Sequence, residues 1–572
     1  MHLSSVLLAI ASTSTLVSAS APYVVQWNSS KSYGPDGPWP VVTVQVGTRA
    51  NGDGLSAVDL HPGGIWESMI LTEAFCNGDD DPTHCPAAKA GLYNINGSHN
   101  VLKNITKEVG LVWQWGSNSA FNINGSANNV VDVMRMGGVQ GQSMTVGNST
   151  ISAVDSSTIT LPDGTNYSIQ VGTLSLGAPG GGVQPFEAGV DGETFAGHAA
   201  STNSIPSNSF GLHYGSSSMN QVGSLVWGGY DQSRVIGDAA AFDLTTGNEM
   251  RPSLLDIQIG VENGSSPFAS GSSSMTGLLK QNASFGRAQP TIINPIVPYF
   301  FLSPQTCTTI AANLPVTLEP NIGLYLWNTK DPDYQRIVQS PAYLAFIFQN
   351  AGAGNLTIKV PFPLLNLTLE GPIVATPQPY FPCRPFHASD DSGDYVLGKA
   401  FLQAAFIGMN WEQNKFFMAQ APGPGVGASN VQSIGPNHTS INSDPVEHFA
   451  ITWAKDWTVL CATSNSTPGN GTISNGSGPS LSAGAKAGIG AGAAVGVLVA
   501  IVALSLFCIQ RRKNRVGRVV RRQGGETLEP EPEPMYRPLH EKDVRPVSYE
   551  TGLASPHEMG TEQPVRYPLE LG

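Results

Sequence analysis

Charge is scarce in this chain. Asp, Glu, Lys and Arg together make up 12% of it, and basic residues are the scarcer sign, 29 against 42 acidic. A net charge of −13 argues against nucleic acid as a partner. Long helical periodicity is missing between residues 22 and 421, which excludes a helical bundle there. Long apolar runs are confined to two places. The first 21 residues run through Val6-Leu7-Leu8-Ala9-Ile10-Ala11 to small residues around Ala19-Ser20-Ala21, the layout of a cleavable signal peptide, although no Lys or Arg opens it. Residues 487–509 contain no charged residue, and a helix of that length rises roughly 34 Å, enough to cross a bilayer core.

The flanks of the second run set an orientation. Lys486 precedes it, and Arg511, Arg512, Lys513, Arg515, Arg518, Arg521 and Arg522 follow it, so the N-terminal part is expected outside. A long polar tail after the run argues against a GPI signal. Asn-x-Ser/Thr acceptors stand at Asn28, Asn96, Asn104, Asn124, Asn148, Asn166, Asn263, Asn282, Asn355, Asn366, Asn437, Asn465, Asn470 and Asn475, and none lies in the tail. The chain is therefore expected to be a type I glycoprotein of the plasma membrane or of a secretory-pathway membrane. Gly488, Gly492 and Gly496 share one helical face of the span, a pattern that permits a homodimer. Cys508 is a candidate for palmitoylation, and Tyr536 to Leu539 has the shape of a tyrosine sorting signal.

Cysteines number only six, and an oxidising compartment favours disulfides. Cys76 and Cys85 can close a small loop, Cys307 and Cys383 a longer one, which leaves Cys461 odd in the ectodomain. A cation site built from Cys76, Asp79, Asp80, Asp81, His84 and Cys85 is the rival reading, but its spacing fits no zinc pattern. No metal or cofactor is expected.

What the sequence has in quantity is Gly, 64 residues, and Pro, 42, punctuating short β-rich segments such as Val41 to Val46, Thr158 to Leu161 and Leu225 to Trp227. Thr306 to Leu314 reads as a short helix, and Asp53-Gly54 as a hairpin turn. Residues 422–486, dominated by Ser, Gly, Asn and Pro, read as a glycosylated stalk with one more ordered patch from His448 to Cys461. Residues 510–572 turn from basic to acidic and proline-rich and are expected to be disordered, the basic start lying against anionic lipid.

One phrase occurs twice. VVTVQVGT (41–48) precedes AVDLHPGGIW (57–66), and LLDIQIGV (254–261) precedes TIINPIVPYFFLSP (291–304). With GTLSLG (172–177), GSLVWGGYDQSRVIGD (223–238) and DYVLGKAFLQAAFIGMNWEQNKFFMAQA (394–421), these resemble, in order, the pepsin-like aspartic protease family. The resemblance implies a mainly β, two-lobed ectodomain over 22–421, with lobes of about 22–240 and 241–421. It also implies an Asp-Thr/Ser-Gly loop in each lobe, the two aspartates sharing a proton and activating one water. Asp59 matches the first aspartate, but Leu60 and His61 replace the residues after it. Asn294 stands at the second position, followed by Pro295 and Ile296, and an amide neither titrates nor shares a proton. Both positions are expected to be inactive. Asp391-Ser392-Gly393 reads as a surface turn, and Trp115 is a candidate for the family's active-site flap. The expected function is a surface receptor or binding protein holding a peptide or protein, or alternatively a glycan, in the inter-lobe cleft without cutting it. The alternatives are a membrane-anchored aspartic endopeptidase and a structural cell-surface glycoprotein.

Overall fold

The computed structural model describes residues 20–461, apart from 78–80, 82, 104, 106–108, 111–120, 122, 187–188, 281–287, 351–353, 388–394 and 445–447. The expected membrane span and tail lie outside the described residues, as do nearly all of the signal peptide, Trp115, Asp391 to Gly393, Cys508, and the acceptors Asn104, Asn282, Asn465, Asn470 and Asn475. Among the described residues, no helix is long and apolar enough to cross a membrane.

The described chain is mainly β. Alternating β-branched residues make Trp39–Thr48 a strand, and a turn at Asp53, where Arg49 N–H donates to the Asp53 carbonyl at 2.9 Å, returns the chain as Gly54–Gly64. Register Thr43↔Asp59 joins the two strands inside an 11-stranded sheet built from the first half of the chain. The second half builds an 8-stranded sheet around Ser253–Val261 and a 4-stranded one around Leu324–Trp327. A 6-stranded sheet unites the halves by pairing Ser209–His213 with Ala405–Asn410. One apolar core runs through both, including Val44, Leu60, Trp227, Phe300 and Phe401.

Each half repeats one device. In the first, Gly172–Ser175 runs parallel to the end of Gly54–Gly64, from Gly172↔Leu60 to Ser175↔Gly64. In the second, Gln289–Ile293 runs parallel to Tyr395–Leu397, ending at Ile293↔Leu397. The loops leaving these ladders meet. A Cβ placed on Gly63 would lie 3.2 Å from the carbonyl of Pro295, so a side chain there would press the two loops a few tenths of an ångström apart.

Both expected disulfides are present, Cys76–Cys85 and Cys307–Cys383, so the first pair is a covalent clip and not part of a cation site. Cys461 is free and exposed. The short helix is Pro304–Ala311, with the Ser303 hydroxyl accepting from Thr306 N–H at its start.

Residues 422–461 correct the sequence reading. The stretch assigned to the stalk is folded onto both halves up to its last described residue. Val431–Ser433 pairs with Gly229–Asp231, and Phe449–Trp453 forms a helix. Thr458 N–H donates to Gln339, and Ser265 N–H to Leu460. The physical reason lies in three aromatics of the patch: Phe449, Trp453 and Trp457 are buried against one another, with Trp453 and Trp457 stacked at 5.5 Å.

Candidate functional site

Asp59 sits on Gly54–Gly64 and is 2% exposed. Its Oδ2 accepts from Lys31 Nζ and from the Tyr33 hydroxyl, both at 2.8 Å, and its Oδ1 accepts from the Thr43 hydroxyl. All three donors come from the preceding strands Trp27–Tyr33 and Trp39–Thr48, so the carboxylate is engaged within its own half. Burial, and then the Asp59 carboxylate, hold the Tyr33 hydroxyl neutral well above its ordinary range.

Asn294 lies 1% exposed at the other loop. Its Oδ1 accepts from Ile296 N–H at 2.9 Å, and its own N–H donates to the Leu397 carbonyl at 3.0 Å. The amide thus shapes a local turn. The two residues hold different places in the repeated device, since Asp59 precedes the first residue of its parallel ladder and Asn294 follows the last of its own. No described hydrogen bond or ion pair joins them. What the structure brings together across the loops is Gly63 with Pro295.

Beside that contact lies a small pocket open to solvent. The first half supplies Asp36, Trp39, His61, Tyr167 and Thr173, and the second supplies Ile296, Pro298 and Lys399. Asp59 and Asn294 are not among its walls. The N-terminal segment around Asp36 crosses to the second half to reach it. Glu370 N–H donates to Pro35 at 2.7 Å, the Tyr380 hydroxyl to the Asp36 carbonyl at 2.5 Å, and the Tyr299 hydroxyl to Asp36 Oδ2 at 3.4 Å. Trp39 Nε1 donates to Asp36 Oδ1 at 2.8 Å.

Three ionisable groups are therefore buried together, with their charges in tension. Burial pushes the Asp36 carboxyl up, while Lys399 and the Trp39 bond oppose that rise. Burial brings the Lys399 ammonium down to about 8, with Asp36 resisting. His61 falls well below its ordinary value, first through burial and then through Lys399, so the ring is neutral.

Sequence reasoning singled out neither Asp36 nor Lys399, and it named His61 only as a departure beside Asp59. A usable signal existed in DYVLGKAF, where one lysine interrupts an apolar strand end.

The remaining predicted positions scatter. Asn96, Asn124, Asn148, Asn166, Asn263, Asn355 and Asn437 are exposed, whereas Asn28 and Asn366 are half-buried. Asn28 Nδ2 donates to Thr43, and Asn366 Oδ1 accepts from Tyr334. Among the described residues no cluster of His, Cys, Asp or Glu could hold a metal ion.

No family model matches the chain, and no curated protein does. Among solved structures, the chain is similar to an aspartic proteinase from Irpex lacteus, with a TM-score of 0.43 and 14% identity over 67% of this chain and 94% of that one.

Proposed function

We propose that this chain is a type I membrane glycoprotein whose pepsin-like ectodomain holds a peptide between its halves without cutting it. The observation that carries this reading is the state of the two loops. The proteolytic device requires two facing carboxylates that share one proton and activate a water. Here the one carboxylate, Asp59, is enclosed by Lys31, Tyr33 and Thr43, and the other loop offers the amide of Asn294, turned onto its own backbone. What remains is a pocket between two halves with polar groups set among apolar walls, the general form of a binding site.

The test is direct. The ectodomain, residues 22–461, is incubated with a peptide library from acidic to neutral pH, and products are read by mass spectrometry. The expected result is intact peptides, both for the natural chain and for Asn294→Asp, because a carboxylate restored at 294 still lacks a partner facing it. Cleavage that pepstatin blocks and Asp59→Ala abolishes would sink the reading in favour of an endopeptidase. A chain that retains no peptide at all would leave a structural glycoprotein. Anchoring through 487–509 is checked by alkaline extraction of membranes, where release of the chain into the supernatant would remove the anchor.

A further inference from the structure

The proposed function leaves one group in the inter-lobe pocket unexplained. Lys399 is 6% exposed, and its Nζ makes no hydrogen bond or ion pair among the described residues; its one close partner is the Trp39 ring, 5.5 Å from the centroid. An ammonium carries three donors, and this one is not sealed off: its Nζ keeps contact with the open space of the pocket. Asp36 lies near enough to act on the charge but not at contact range: among the described residues no hydrogen bond or ion pair joins the two side chains, and the Asp36 oxygens accept from the Trp39 indole and the Tyr299 hydroxyl. The donors are therefore left for something that enters the pocket.

Two other walls narrow what that is. Thr173 is 4% exposed, and its Oγ1 is buried with no hydrogen-bond partner. Its hydroxyl is a second idle donor. His61 Nδ1 lies 3.1 Å from the Pro40 carbonyl, which can only accept, so Nδ1 carries the proton and Nε2 presents a lone pair. The pocket thus offers a cation, a hydroxyl donor and a neutral acceptor, with Ile169, Val171 and Ile296 as apolar wall.

A carboxylate next to an N–H, on a residue with an apolar side chain, satisfies all of these at once. We propose that the pocket captures the C-terminal residue of a peptide ending in an apolar side chain, with its carboxylate on Lys399 and Thr173 and its backbone N–H on His61 Nε2. Capture of a terminal carboxylate is a known way of reading peptides. The inference rests on the reading of the ectodomain as a peptide holder, and it specifies which end of the peptide is held.

The experiment uses the purified full-length chain in detergent and follows binding by calorimetry. Four probes are compared: a short N-acetylated peptide ending in a free phenylalanine, the same peptide as its C-terminal amide, a peptide with both ends blocked and no terminal apolar residue, and N-acetylphenylalanine. The free acid is expected to bind at least about tenfold more tightly than the amide, the usual worth of a charge-assisted hydrogen bond. Lys399→Met is expected to erase that preference, while Thr173→Val, which keeps the charge, reduces it. N-acetylphenylalanine binding as tightly as the free-acid peptide supports the pocket and assigns its ligand to small apolar carboxylic acids. Equal affinity for acid and amide, or no binding of either, overturns the proposal, and this comparison on the natural chain needs no variant to fold. Binding of the doubly blocked peptide alone overturns the proposal but leaves a non-cleaving peptide holder. A free-acid peptide that is bound and then cut keeps the pocket and removes that reading.

Discussion

At the residue scale, Asp59 and Lys399 are opposite cases of a buried charge. Asp59 is fully furnished with donors, and removing it strands the groups around it. Asp59→Ala is expected to lower unfolding free energy by about 2–4 kcal/mol, chiefly through the Tyr33 and Thr43 hydroxyls, since Lys31 is 48% exposed and recovers water. The midpoint of denaturant unfolding measures it. Lys399 is under-furnished, and its effect appears in pH. Its folded value of about 8 lies below the roughly 10.4 of an unfolded lysine, so between these values the unfolded chain binds the extra proton. Stability contributed by this group therefore rises with pH, by about 2–3 kcal/mol from pH 8 to 10. Above about pH 10 the sign reverses, because Tyr299 and Tyr380 are held neutral by burial while unfolded tyrosines ionise. Lys399→Met is expected to remove the rise between 8 and 10, read as the difference between the two unfolding curves. Asp59 was legible in the sequence because the phrase around it, AVDLHPGGIW, resembles the first loop of the pepsin-like family. Lys399 was not, because its neighbours at Asp36 and His61 are hundreds of residues away along the chain.

At the scale of elements, the two disulfides differ in what they constrain. Cys307 and Cys383 are 76 residues apart and join the helix Pro304–Ala311 to the strand Cys383–Pro385, whereas Cys76 and Cys85 are 9 apart. In the chain-entropy description the longer loop contributes about 4–5 kcal/mol and the shorter about 2–3. Replacing each pair by alanines should lower the melting temperature more for Cys307–Cys383, whose side chains are also wholly buried. The strands were legible because period-two burial is written locally, as in Trp39–Thr48 with its pattern of buried valines around an exposed Gln45. The parallel ladders were not. Their partners come from Gly172–Ser175 and Tyr395–Leu397, and nothing in either short segment states which strand it joins.

At the scale of the whole molecule, the segment 422–461 carries the fold beyond residue 421. Gln221 Nε2 donates to the carbonyls of Pro422 and Gly423, and the Trp453 ring lies so close to Gly423 that a Cβ there would come within 2.7 Å. A chain ending at 421 is expected to lose its sharp thermal transition and to aggregate, since it exposes the surface that this segment covers. A chain ending at 461 is expected to keep the transition of the full chain, and scanning calorimetry of the two decides the matter. By itself, the sequence determined the β-rich class, the two cysteine pairs and the order of the repeated phrases, because composition and periodicity are local properties. Tertiary structure alone decided that Asp59 is engaged within its own half and that Asp36, His61 and Lys399 share one pocket. It also decided that a stretch rich in Ser, Gly and Pro is part of the fold. The reason is physical: a local pattern specifies which face of an element is buried, while the partner across that face is set by register and packing between segments far apart in the chain.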